Sequence, residues 1–220
     1  MFTLYNIQEL LNLMSCLIAY LLIISPPGAF NAWVAKKMGD STASEMGLES
    51  LNPLAHVDPV GLICLILFRI GWGQDIPVNS NAINGKYRTA KLIAANFAGI
   101  PIYLVQSTIY IFSLAIIFGG TDNISTNLQV SSLALVTRDI LEYGALLSIL
   151  LAVIKFIFKG VMLLVTALTE KNYIDPKRVW YILIFASIAA LFILGQPLQI
   201  ILRIFIYKIA DNIALCFGII

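Results

Sequence analysis

Long apolar stretches with almost no charge constrain this chain more than any other feature of its sequence. A helix needs about 20 mainly apolar residues to cross a bilayer, and four stretches approach or exceed that length, at roughly residues 10–35, 92–118, 141–168 and 179–200. Of the 220 residues, 60% are apolar and only 12% are charged, whereas a soluble domain carries about 25% charged residues. Because one soluble core cannot bury so much apolar surface, the sequence predicts an all-α integral membrane protein.

Two further apolar segments leave the predicted number of transmembrane helices at about four to six. Residues 60–68 are too few to span a bilayer as a helix, so a short re-entrant or interfacial segment is predicted after the first helix. Residues 201–220 are apolar but contain three charged side chains, and they either span the membrane or lie in its interface. We expect a single membrane domain, residues 1–220, in which residues 38–91 form a polar, re-entrant loop.

The distribution of Lys and Arg predicts the orientation and the partners of the chain. Residues 36–91 carry six Lys or Arg, whereas residues 119–132 carry none. Since cytoplasmic loops are enriched in these residues, loop 36–91 is predicted on the cytoplasmic or matrix side of a bacterial inner membrane or an organellar inner membrane. A net charge of +2 without any basic block excludes a nucleic-acid partner. The expected partners are the lipid bilayer and other membrane protein subunits.

Polar and turn-forming residues interrupt the apolar sequence at residues 38–61. Irregular backbone at a membrane must be buried in protein or line a cavity. Asn52 and Asp58 are predicted to shape the loop by side-chain hydrogen bonds to the backbone, and His56, the only histidine of the chain, by a bond to Asp58 or to the backbone. The residues predicted to have this structural role are Asn52, Pro53, His56, Asp58, Pro59 and Gly61.

The segment LNPLAHVDPVG, residues 51–61, resembles the L-N-P-L-x-H-x-D-P-x-G signature of the bacterial branch of the site-2 protease family, peptidase M50. Residues 37–43 and Gly47 are similar to the family's R-L-G-D-P-T-A followed by a glycine. Residues 71–79 are similar to its F-G-W-A-K-P-V-P-V-N turn, and Ala98-Gly99 to its A-G-P. The resemblance covers about residues 27–100 and implies an intramembrane metalloprotease fold.

The same resemblance predicts that this chain is a degenerate member without the zinc-binding motif. Members of the family carry H-E-x-x-H on the first helix, where both His bind zinc and the Glu is the general base. Counting back from Gly39-Asp40, these three positions fall on Pro27, Gly28 and Asn31. None of these residues supplies an imidazole or a carboxylate. We therefore expect no metal, no cofactor and no enzymatic activity, since a catalytic zinc needs about three protein ligands.

The family's third zinc ligand, an Asp near the end of a later helix, has two candidate positions in this chain. One alignment places it on Met162, and the other would retain an aspartate at Asp175. We favour Met162, because the second alignment leaves too little chain before the final apolar helix.

Two lysines stand inside the third apolar stretch. Lys155 and Lys159 lie four residues apart and share one helical face. Charges within a membrane helix usually face protein, a cavity or an acidic partner, and Glu142, another subunit or a lipid head group are candidates here. Alternatively, both side chains snorkel from a helix that breaks at Gly160.

Three functions are compatible with these features. The leading hypothesis is a catalytically inactive, site-2-protease-like pseudoenzyme that acts as a scaffold or subunit of a membrane protein complex, because the loop is retained while the ligands are absent. The first alternative is a small transport or lipid-handling protein that uses the polar loop and the two lysines. The second is an active intramembrane zinc metalloprotease with unconventional ligands.

Overall fold

The computed structural model describes residues 2–118, 132–169 and 197–218, and these residues form a helical protein. Within these ranges the only β-type pairing is a bridge between Val57 and Gly73. A 3-10 turn, Pro53–His56, lies in the loop. The α-helices are α1 (Phe2–Met38), α2 (Thr42–Glu45), α3 (Pro59–Phe68), α4 (Arg88–Phe97), α5 (Gly99–Phe118), α6 (Ser132–Thr169) and α7 (residues 197–216).

Three helical spans in the described ranges are long and apolar enough to cross a membrane. They are Ile7–Met38, Arg88–Phe118 and Leu133–Leu164. Large apolar side chains point away from the protein along all three, as at Leu22, Ile109 and Ile157. Exposed apolar side chains of this kind are suited to contact with lipid and not with water. They confirm the prediction of an all-α membrane protein.

Helices α1, α5 and α6 pack against one another and bury the main core. Small residues such as Ala19 and Ala145 allow close approach of the helices, and larger side chains fill the space between them. The buried residues of this core include Cys16, Tyr20, Ile23, Ile24, Leu114, Leu146, Leu147 and Leu151. Helix α7 contributes Ile206 and Ala210 to the same core.

Helix α1 continues through Pro26 and Pro27 and ends at Met38, three residues beyond the predicted stretch 10–35. Proline 26 has no N–H to donate to the carbonyl of Leu22. The side chain of Gln106 on α5 donates to that carbonyl instead, at 3.2 Å. A neighbouring helix thus replaces the lost hydrogen bond, which is how membrane helices tolerate proline.

Several predicted boundaries are wrong because tertiary contacts extend or divide the helices. Helix α6 begins at Ser132 and passes through Gly160 without a break. The predicted helix 92–118 begins at Arg88 and divides at Ala98 into α4 and α5. Loop 38–91 contains α2 and α3, and α3 covers the segment predicted as re-entrant or interfacial.

Helix α7 crosses the predicted boundary between residues 200 and 201 without interruption. Most of the predicted helix 179–200 lies outside the described residues. Among the described residues, α7 is not one of the spans that are apolar enough to cross a membrane.

Candidate functional site

A polar cleft lies between α1, the loop, the junction of α4 with α5, and α6. Its lining includes Gly28, Asn31, Gln74, Asp75, Lys155 and Lys159. The cleft has a volume of about 30 Å³, which is room for about two water molecules or one small polar group. The three positions where the family resemblance places zinc ligands and base therefore border a cleft that also holds two lysines and an aspartate.

The wall formed by α1 depends on the absence of a side chain at Gly28. A Cβ atom at this position would lie 2.4 Å from Nδ1 of His56, far closer than two non-bonded atoms can approach. The imidazole of His56 thus occupies the space that a side chain on residue 28 would need. His56 itself is buried, with 1% of its surface exposed.

His56 is held by the loop and does not reach into the cleft. Its Nε2 lies 2.8 Å from the carbonyl oxygen of Ser50, so Nε2 carries the proton and donates, since a carbonyl can only accept. Nδ1 is then an acceptor, and within the described part of the chain it has no hydrogen-bond partner. His56 therefore forms a hydrogen bond with the backbone, and not with Asp58.

Asn31, at the position of the motif's second histidine, joins α1 to the start of α5. Its Oδ1 accepts a hydrogen bond from the backbone N–H of Gly99 at 3.1 Å. That N–H lies where the helix divides, at Ala98. A Cβ on Gly99 would lie 2.8 Å from the carbonyl oxygen of Pro27, so the glycine lets the two helices approach closely.

The loop is folded by short-range caps and by close backbone contacts. Asn52 Oδ1 accepts from the N–H of Leu54 at 3.1 Å, and Asp58 Oδ1 accepts from the N–H of Gly61 at 2.7 Å. Pro53 and Pro59 each begin the helical turn that follows these caps. Gly61 packs against the backbone of Trp72, where a Cβ would lie 2.1 Å from its oxygen.

Hydrogen bonds hold the two motif segments, residues 51–61 and 71–79, together next to the cleft. The N–H of Gln74 donates to the carbonyl of His56 at 2.7 Å, and Tyr20 on α1 donates to the carbonyl of Trp72 at 2.9 Å. Fully buried Asp40 accepts from the N–H of Thr42 at 3.0 Å and from that of Asn79 at 2.6 Å. The backbone that carries Gln74 and Asp75 is therefore firmly placed.

Asp75 brings the two lysines of α6 together. Lys155 Nζ lies 3.1 Å from Oδ1 of Asp75, and Lys159 Nζ lies 2.8 Å from Oδ2. The side chain of Lys159 is only 9% exposed, whereas that of Asp75 is 48% exposed at the edge of the cleft. Partial burial raises the pKa of Asp75, but the two ammonium groups outweigh it and hold the pKa below its usual 3.8. Asp75 is therefore ionised at neutral pH.

Glu142 is not the partner of these lysines, and that proposed contact is wrong. It lies 13 residues before Lys155 on the same helix, which is a rise of about 20 Å. Glu142 instead pairs with Nε of Arg203 on α7 at 2.7 Å and accepts a hydrogen bond from Tyr207. Arg138 in turn donates to the oxygen of Tyr207 at 2.7 Å. These residues form a second charged cluster near the other end of α6.

The alternative positions for a third ligand are not both described. Met162 lies on α6, three residues beyond Lys159. Asp175 lies outside the described residues.

Asp75, Gln74 and Asn96 are among the cleft residues that the sequence did not point to. The matched turn, residues 71–79, places Gln74 and Asp75 where the family pattern reads K-P. A charged residue in place of the pattern's proline was a signal that a partner for the lysines lay in this turn.

The cleft does not fit a zinc ion with the residues that the structure describes. No group of three or more His, Cys, Asp or Glu in residues 2–118, 132–169 and 197–218 could hold a metal ion. The Asp75 carboxylate already pairs with two lysines, and Nε2 of His56 is hydrogen-bonded to a backbone carbonyl. A cation in this cleft would also meet the repulsion of both lysines.

Comparison with known proteins gives a short but clear similarity. The chain is similar to the "Putative zinc metalloprotease YwhC" of Bacillus subtilis (strain 168), with 47% identity over 49 residues. The match covers 22% of this chain and 22% of that relative. No family model matches the chain, and no solved structure matches it.

This similarity corrects one prediction. The expectation that the chain is no enzyme is wrong, since the named relative points towards an enzyme family, the zinc metalloproteases. Ligand positions alone do not define what the rest of a cleft does.

Proposed function

We propose that this protein is a metalloprotease-related membrane protein, within a membrane protein complex, whose cleft receives a polar group from a segment of another membrane polypeptide. The observation that carries the proposal is the cleft itself, since polar groups from α1, the loop and α6 converge inside an otherwise apolar helical protein. The similarity to a putative zinc metalloprotease supports a polypeptide as the occupant.

The chemistry of the cleft suits an opened polypeptide chain. Inside a bilayer, backbone N–H and C=O groups that leave a helix must find partners on the protein. Gln74 and Asn96 line the cleft and can both donate and accept hydrogen bonds. Lys155 and Lys159 add donors, so a carbonyl group that enters the cleft meets several hydrogen-bond partners.

The charge distribution supports one orientation of the cleft. Loop 36–91, which contributes Gln74 and Asp75, carries the excess of Lys and Arg. We expect this side of the protein, and therefore the mouth of the cleft near the loop, to face the cytoplasm or its organellar equivalent.

A defined transmembrane peptide tests the proposal. The probe is a Leu-rich helix of about 20 residues with a central Asn-Gly pair that lets the helix open, and with a fluorophore at one end. Binding to the purified, labelled protein in vesicles is measured by energy transfer. We expect saturable binding, which Gly28→Leu weakens because its side chain displaces His56 into the cleft wall. Mass spectrometry of the same samples, with and without a zinc chelator, reports any peptide cleavage.

The matched control is Gly160→Ala, because a Cβ at Gly160 meets no atom of residues 2–118, 132–169 or 197–218 within 4 Å. Gln74→Ala provides a second test, since it shortens a cleft side chain and leaves the backbone bond to His56 in place. If neither Gly28→Leu nor Gln74→Ala changes peptide binding, or if the wild type does not bind the peptide, the proposed function is wrong.

A further inference from the structure

We propose that Lys155 and Lys159, with Asp75 between them, form a binding site for a carboxylate on the transmembrane segment of a partner polypeptide. This inference rests on the proposed function and names the chemical group that the cleft selects. Its basis is that the cluster carries one more positive than negative charge and opens into the cleft.

The charge count leaves one cation without a counter-ion in the described part of the chain. Two lysines share the single carboxylate of Asp75, and each uses a different oxygen of it. An ammonium group has three N–H donors. Each lysine directs one N–H group to Asp75, so both ammonium groups have further N–H donors that can bind a second anion.

Burial makes this unbalanced charge costly. Lys159 is 8% exposed overall and lies on a span apolar enough to cross the membrane. Charged groups in such positions face protein, water-filled cavities or partners of opposite charge. The side of the cluster that remains open is the cleft, which both lysines line.

The cleft matches a carboxylate in size and position. Its volume of about 30 Å³ accepts one small polar group and not a large side chain. Asp75 is 48% exposed at its edge, so an incoming group can reach the lysines beside it. Asn31 cannot supply the anion, because it is neutral and its Oδ1 is bonded to Gly99.

A side-chain carboxylate fits the depth of the cluster better than the phosphate of a lipid does. On α6, exposed apolar residues lie on both sides of the lysines, at Val153, Phe156, Ile157 and Leu164. Leu164 lies five residues beyond Lys159, a rise of about 7.5 Å. Both lysines therefore lie within the apolar span of α6 and beside a cleft that leaves Asp75 half exposed, whereas head-group phosphates lie at the boundary of the hydrocarbon layer.

The test compares two probes that differ in one group. The first is the transmembrane peptide with the central Asn-Gly pair, and the second has Asp-Gly in its place. Both are titrated against wild-type protein in vesicles of zwitterionic phosphatidylcholine. We expect the Asp peptide to bind about tenfold more tightly or better, because it pairs with a desolvated cation. Lys159→Met and Lys155→Met should each reduce this preference, and Gly160→Ala should retain it.

Each outcome decides the inference. Equal binding of the two peptides to the wild type overturns the carboxylate site and leaves the proposed polypeptide binding intact. Binding of neither peptide overturns both. If anionic phosphatidylglycerol vesicles abolish the preference at the same peptide concentration, the occupant is a lipid phosphate and the inference is wrong. Since the wild-type comparison needs no variant, a lysine variant that fails to fold does not prevent the test.

Discussion

Two charged clusters lie towards opposite ends of α6, and they differ in what surrounds them. Around Glu142, Arg203 forms an ion pair, and Tyr207 links the same carboxylate to Arg138. Around Asp75, two lysines share one carboxylate. The first cluster lies where α7 packs against α6, whereas the second opens into a cleft. A cluster that joins two helices stabilises their packing, and a cluster that lines a cleft is suited to binding.

The largest expected effect is on the cluster around Glu142. Glu142→Ala leaves Arg203 and the Tyr207–Arg138 pair without their central acceptor, and we expect a loss of about 3 kcal/mol in the free energy of unfolding. Titration with a denaturing detergent, followed by circular dichroism, measures it. Tyr207→Phe removes two hydrogen bonds, one to Glu142 and one from Arg138, and should cost about 2 kcal/mol. A Glu142→Ala protein as stable as the wild type would mean that this cluster does not hold α7 to α6.

The second effect concerns the wall of the cleft. Gly28→Ala brings a Cβ within 2.4 Å of His56, and we expect a loss of about 2 kcal/mol, typical of overpacking. In a His56→Ala background the same change should cost close to nothing, because the imidazole no longer occupies the space. A double-mutant cycle measures this coupling. Additive effects of the two substitutions would show that His56 does not fill the space beside residue 28.

The third effect distinguishes the cluster at Asp75 from the cluster at Glu142 by stability. Asp75→Asn should cost only about 1 kcal/mol, because the carboxylate is half exposed and its ion pairs are screened. The same detergent titration serves, with Gly160→Ala as the control. A loss as large as that of Glu142→Ala would indicate that the cluster at Asp75 mainly holds the fold together.

The smallest expected effect is the pH dependence of the stability difference between the wild type and Asp75→Asn. The folded-state pKa of Asp75 is lowered, so its contribution is fully present above the unfolded pKa of about 3.9. It is lost as the pH falls through the lower, folded pKa. The stability difference between wild type and Asp75→Asn should therefore be constant from about pH 5 to 8 and shrink in stronger acid. A difference that shrinks near pH 6 or 7 would implicate another group.

Much of the architecture was predictable from the sequence, because it follows from composition and local chemistry. Apolar runs near 20 residues predicted the helices, and the turn residues around Asn52 and Asp58 predicted an irregular, capped loop. Helix boundaries were less accurate, as at Ser132, where α6 begins, and at Met38, where α1 ends. Helix propensity reflects the hydrogen bond that is lost at Pro26. It contains no information about the hydrogen bond that Gln106 donates from another helix.

The sequence by itself determined that this protein lies in a membrane and that a motif-bearing loop stands beside positions without zinc-binding side chains. Only the tertiary structure decided which charges meet. Asp75 lies 80 residues from Lys155 along the chain, and Glu142, the nearer candidate in sequence, is kept away by the rise of its own helix. Pairing of charges depends on distance in space, and that distance is set by how the helices and the loop pack.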